Sequence, residues 1–130
     1  MGYDGSPAAG RALERAAALA GHGSVVLVVA SPTIPTQGVV PEPILDAPAR
    51  EEQDALLERG SARLRDRGVT ARAVSSELPA AQALMQVARD EEADMILVGA
   101  TGTGYVTRAL LGSTAENLVR HAPCDVLVVR

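Results

Sequence analysis

The fifteen residues from Gly99 to Ser113, GATGTGYVTRALLGS, hold four glycines, end on a serine and follow directly on the apolar run DMILV. Chemistry built on glycine is backbone chemistry. Without a Cβ the chain can turn sharply and offer its N–H groups to an anion. Gly99 is expected to end a strand where a side chain would block a ligand, and Gly102 to take a left-handed turn that aims N–H groups inward. Gly112 and Ser113 are placed to open a helix, whose first N–H groups lack intrahelical partners and whose dipole favours phosphate oxygens. Thr114 offers a further N–H. Ser113-Thr-Ala-Glu116 also reads as a capping box with Ser113 at the N-cap. The two readings are compatible, because the hydroxyl can serve one and the N–H groups the other. A second stretch, YDGSP, brings in the carboxylate of Asp4, either as a ligand contact or as a turn-former before Gly5.

Other reactive side chains form no constellation. His121 and Cys124 are two possible metal ligands without partners, short of a site. His22 reads as a surface loop residue, and RDEEAD (residues 89–94) as a solvated helix end rather than a carboxylate dyad. All twelve basic residues are arginine, so a Walker-type phosphate loop and Schiff-base chemistry are excluded. The net charge of −4, without a basic patch, argues against nucleic acid as a partner. Tyr3 and Tyr105 are the two aromatic residues, too few for stacking single-stranded nucleic acid or covering a flavin ring. One cysteine cannot form an internal disulfide, and neither a secretory signal nor a membrane span is visible, which predicts a cytoplasmic protein.

These groups need elements to position them. At 130 residues the chain is expected to be one domain over 1–130, with a core of Ala, Val and Leu. Met1-Gly2-Tyr3 reads as the end of a first strand. A helix follows, with Ser6 as N-cap, Pro7 in the first position and Gly21 as the stop. SVVLVVA (24–30) suits a strand covered on both faces. Residues 31–48 contain five prolines and predict a long irregular loop. A charged amphipathic helix over 49–68, a more polar edge strand VTARAVS, a helix from Pro79 and the strand DMILVG come next. A helix from Ser113 and the strand DVLVV complete the chain. This β-α-β-α-β-α-β-α-β alternation predicts an α/β fold with an open parallel sheet and helices on both faces. In such sheets ligands bind beyond the carboxyl ends of the strands, where the strand order reverses. A receiver-type phosphoacceptor would need an Asp after the third strand, where this chain has Ser75 and Ser76.

The GYDGS segment, the spacing Gly99-x2-Gly102-x9-Gly112-Ser113 and the ending HAPCDVLVV together resemble the universal stress protein family, and the similarity covers essentially the whole chain. The glycine spacing resembles that of the family's ATP-binding branch. The resemblance implies a Rossmann-like five-stranded sheet of order 3-2-1-4-5, counted along the chain, in which the first and fourth strands are neighbours. It implies contacts to ATP, accompanied by Mg, from Asp4, the backbone of Ala30, Gly99, Gly102, Gly112, Ser113 and Thr114. It further implies a sensor or regulator of the stress response that pairs as a homodimer through the fifth strand. Two alternatives stand beside it: slow metal-dependent ATP hydrolysis in the same crevice, and an interaction protein of this fold that binds no nucleotide. Family members begin the first strand several residues earlier. Met1–Tyr3 covers only about 10 Å of strand, against roughly 17–20 Å for an ordinary one. The shortened strand predicts a slot between its neighbours' amino ends.

Overall fold

The computed structural model describes residues 1–21, 23–30, 43–102 and 111–130, with residues 43–49 described as backbone. His22, residues 31–42 and Tyr105 therefore lie outside the described residues, as does the middle of the glycine-rich loop.

Helix α1 (Pro7–Ala20) is built as its sequence predicts. The Ser6 hydroxyl accepts from the Ala9 N–H at 3.1 Å, Pro7 fills the first position, where its missing N–H is not needed, and Gly21 follows with φ +50°. Strand β1 (Val25–Ala30) is the apolar run. Helix α2 (Pro43–Arg65) starts earlier than expected, so residues 43–48, read from sequence as irregular, are helical. Pro43 occupies the helix's first position, where proline's fixed φ is already helical, and Gly68, at φ +76°, lies just past the end. Strand β2 (Ala71–Ser76), helix α3 (Ala80–Asp90), strand β3 (Met95–Gly99), helix α4 (Ser113–His121) and strand β4 (Asp125–Val129) complete the order.

Among the described residues the strands form two parallel pairs, β1 with β2 and β3 with β4, in register from Val25 opposite Ala71 and from Met95 opposite Asp125. Among the described residues the strands are not continuous as the five-stranded sheet expected from sequence. What stands between the pairs is the amino-terminal stub, a single parallel bridge from Gly2 to Val28. The stub bonds on both sides: the Tyr3 N–H donates to the Val28 carbonyl at 2.9 Å, the Val28 N–H to the Met1 carbonyl at 2.9 Å, and the Gly2 N–H to the Leu97 carbonyl at 3.0 Å. Three residues are too few to carry a ladder along both neighbours.

Side-chain alternation shows how the layers sit. Val25, Leu27 and Val29 of β1 join one apolar cluster with Leu13 of α1, Leu64 of α2, Met1 and Tyr3. Val26, Val28 and Ala30 turn to a second cluster with Leu84 of α3 and Leu118 of α4. Successive strand residues point to opposite faces, so α1 and α2 cover one face and α3 and α4 the other. Strand β3 alternates the same way, with Leu97 in the first cluster and Ile96 and Val98 in the second. Exposed positions within β2 agree with its expected edge location. Among the described residues no helix is long and apolar enough to cross a membrane.

Candidate functional site

A cavity of about 300 Å³ lies beyond the carboxyl ends of β1 and β3. It is lined by Asp4, Ala30, Gly99, Gly102, Gly112, Ser113 and Thr114, so the fold brings every residue singled out from the sequence to one place. Topology is the cause. A parallel strand followed by a helix delivers the strand's carboxyl end and the helix's amino end to the same edge. Ala9 in the first turn of α1, Ala80 at the start of α3 and Ser113–Ala115 of α4 all reach the lining. Their dipoles make this edge favourable for negative charge. Among the described residues no Arg or His contributes to the lining, whose polar groups include backbone N–H groups, the hydroxyls of Thr101, Ser113 and Thr114 and the Asp4 carboxylate.

The glycines differ in what requires them. A Cβ at Gly99 would lie 2.7 Å from the Ala8 carbonyl carbon and 2.8 Å from the Ala9 nitrogen. Its close neighbour is the backbone of α1, so helix packing by itself requires a glycine at Gly99, which also lines the cavity. A Cβ at Gly102 would lie 2.8 Å from the Asp4 Oδ2. Gly102 is absent from the positive-φ glycines, so the left-handed turn expected there is not made; it leaves room for the Asp4 carboxylate instead. A Cβ at Gly112 would meet the Ala100 oxygen at 3.4 Å and the Thr101 Cα at 3.5 Å, ordinary contact that the protein itself tolerates.

The capping expectation is also corrected. Helix α4 starts one residue earlier than a capping box requires: Gly112, at φ −65° and ψ 153°, is the N-cap, Ser113 is the first helical residue, and no side chain caps the helix. The Gly112 N–H donates to the Ala100 carbonyl at 2.7 Å and its carbonyl accepts from the Glu116 N–H at 2.9 Å, which pins the turn. The Ser113 hydroxyl is thereby released from capping duty, and the first-turn N–H groups border the cavity. Asp4 forms the turn its sequence allowed, and it also lines the cavity. Its Oδ1 accepts from the Ser6 N–H at 2.9 Å, an Asx turn with Gly5 at φ +77°, while Oδ2 approaches Gly102 at the cavity wall.

Sequence reasoning missed Ala80, Thr101, Val28 and Leu84, which complete the wall. Thr101 sat inside the quoted loop, but the others are apolar residues with no chemical signal. Val28 comes from β1 and Ala80 and Leu84 from α3, so only the packing of α3 on the sheet brings them to one wall. Cys124 and His121 are not part of this cavity. Among the described residues no group of three His, Cys, Asp or Glu side chains could hold a metal ion. Burial beside β3, with the Asp125 and Asp94 carboxylates nearby, pushes the Cys124 thiol up from its ordinary pKa, so it is a structural thiol rather than a reactive one.

Comparison with known proteins agrees with this geometry. The model of the universal stress protein family matches residues 1–130. A putative universal stress protein of Staphylococcus epidermidis is 56% identical over 45 residues, which cover 35% of this chain and 27% of that relative. The match thus spans about a quarter of the curated relative's length. A universal stress protein solved in complex with cAMP superposes with a TM-score of 0.76 at 25% identity, over 100% of this chain and 94% of that one. A protein of the universal stress protein family from Burkholderia pseudomallei superposes with a TM-score of 0.71 at 34% identity, over 98% of this chain and 91% of that one. The chain belongs to the universal stress protein family, and its Rossmann-like α/β fold is that of the family.

Proposed function

We propose that this member of the universal stress protein family is an adenine-nucleotide-binding module, one domain over residues 1–130, acting as a regulator rather than as an efficient enzyme. The observation that carries the reading is the amino end of α4, where an uncapped first turn borders a cavity on which seven separately identified residues converge. The phosphates of ATP fit against Ser113, Thr114 and the N-cap at Gly112, where the N–H groups and dipole stabilise negative charge. Gly112 supports this placement, because among the described residues nothing forbids a side chain there while a phosphate would. The Asp4 carboxylate would repel phosphate, so it belongs at the sugar end, accepting from a hydroxyl. The adenine then lies along Ala30 and the apolar wall of Val28 and Leu84. Magnesium would arrive with the triphosphate. The bound cAMP of the similar protein supports an adenine nucleotide as the ligand class.

Mass analysis of ligand retained after purification, followed by calorimetric titration with ATP, AMP and cAMP, tests this reading. Adenine nucleotide bound with a dissociation constant at or below the micromolar range is expected. No heat with any of the three would leave the ligand-free interaction protein. The second reading, slow metal-dependent hydrolysis, draws on Asp4, the carboxylate of the lining. Single-turnover ADP release, lost in Asp4→Asn, would establish it.

The stub's bonds to β1 and β3 support the sheet order 3-2-1-4-5 as the family arrangement. The outer edge of β4, whose Val126–Val129 are half-buried, supports a homodimer through that strand. Val128→Pro would remove a ladder donor and is expected to give monomer in light scattering; a clean dimer would point to another face.

A further inference from the structure

The outer face of α2 sorts its charge along the helix. Residues 51–58 carry four carboxylates and no basic residue, and residues 59–67 carry four arginines and one aspartate. Glu51, Glu52, Asp54 and Glu58 are all exposed, as are Arg59, Arg65 and Arg67. Ala55 is exposed and Ala62 half-buried, so small side chains occupy the middle of the face.

The helix dipole does not account for this sorting. It favours acids in the first turn and bases in the last, and its influence fades beyond one turn. That covers Arg63 and Arg65, but Glu51 lies two turns in from Pro43 and Glu58 is past the midpoint of the helix. For the helix alone the spacing is unfavourable. Asp54 and Glu58 stand one turn apart with like charge, as do Arg59 and Arg63, and such neighbours destabilise a helix. The ion pairs that do form leave both halves charged. Glu14 of α1 takes two arginines, Arg63 at 2.9 Å and also Arg67, and Arg65 meets Glu58 at 2.8 Å. Among the described residues Glu51, Glu52 and Asp54 have no ion-pair partner. Arg59 donates to its own helix, to the Ala55 carbonyl at 3.3 Å.

We propose that this face of α2 docks on the same face of a second copy of the chain, antiparallel, across a two-fold axis near the Glu58–Arg59 junction. The two-fold sets the acidic half of each helix against the basic half of the other, so one surface is its own complement. A parallel pairing would set like charge against like. Ala55 and Ala62 let the two helices approach. A contact one helix wide, attracted by exposed charge, is weak and sensitive to salt. It is separate from the other surfaces of the molecule. Helix α2 packs on β1 and β2, away from the outer edge of β4, and among the described residues none of α2 lines the nucleotide cavity.

Sedimentation of the whole chain over a range of concentrations tests this. Association at about 0.01 M salt, where charges act over about 30 Å, should be at least about tenfold tighter than at about 1 M salt. Two charge-swapped variants sharpen the test. Glu51→Arg with Glu52→Arg and Asp54→Arg leaves both halves of the face net basic, and Arg59→Glu with Arg65→Glu leaves both net acidic. All five positions are exposed, so both variants should keep the wild-type circular dichroism and nearly the same melting temperature. At low salt neither should self-associate through α2, while their equimolar mixture should form a one-to-one complex that high salt dissolves. Val128→Pro acts at β4 and should leave the salt-sensitive step in place. A mixture of the two folded variants no heavier than its components, or wild-type association indifferent to salt, would overturn the proposal. Calorimetry with nucleotide should read the same for wild type and both variants.

Discussion

The two ends of β1 and β3 make opposite use of the same backbone. At the carboxyl ends, three helix termini, the Asx turn of Asp4 and the ends of the glycine loop converge on a small cavity. At the amino ends, a second opening is lined mostly by apolar residues, with Glu91, Glu92 and Asp94 among them. One end gathers helix starts and the other helix ends. The difference follows from chain direction. In a parallel sheet every helix starts at the carboxyl edge, so uncompensated N–H groups collect there, whereas the amino edge receives helix ends of the opposite polarity.

The largest expected effect separates packing from binding within the glycine loop. Gly99→Val would drive a side chain into the α1 backbone and is expected to cost about 3 kcal/mol, lowering the melting temperature by roughly 10–15 °C or abolishing soluble protein. Gly102→Val meets, among the described residues, only the tip of Asp4, so the fold should survive with little change in melting while nucleotide affinity falls at least about tenfold. Equal loss of stability in both variants, measured by thermal unfolding beside calorimetry, would erase the distinction.

The amino end makes a prediction about pH. Burial holds the Met1 ammonium down at about 6, from an ordinary 8.0, partly opposed by Cys124. Between these values the unfolded chain binds a proton that the folded chain does not, so stability rises with pH through the window and falls as pH drops from 8 towards 6. The span of two pKa units corresponds to about 2–3 kcal/mol. Melting curves from pH 8.5 to 5.5 should show this slope, and acetylating the amine should remove it. A slope that survives acetylation would assign it to other groups.

The smallest expected effect compares two serines at two helix starts. Ser6→Ala removes a formed cap and should cost about 1 kcal/mol, seen as a lower melting temperature. Ser113→Ala removes no cap and should leave melting unchanged, while nucleotide affinity drops by a factor of about 2–10 as one hydrogen bond is lost. The reverse pattern would mean that Ser113 caps α4 in solution.

Much of this molecule was legible in one dimension. Ser6, Pro7 and Gly21 set the bounds of α1 through local backbone chemistry, and β-branched runs marked β1, β3 and β4, because capping and side-chain alternation act over a few residues. Residues 43–48 escaped, since Pro43 and Pro48 both signal a break, yet Pro43 opens the helix and Pro48 lies within it. The convergence of Asp4 with Gly102 and Ser113 was also foreseeable, through the rule that parallel strands share a ligand edge. What each glycine is for was not. Gly99 is held by a helix ninety residues earlier in the chain, Gly102 by a carboxylate, and Gly112 by neither, and no local pattern separates the three. Composition and spacing determined that backbone would be exposed at this loop. Only the packing of α1 against β3 decided which part of it was left open, because close approach is a property of pairs distant in sequence.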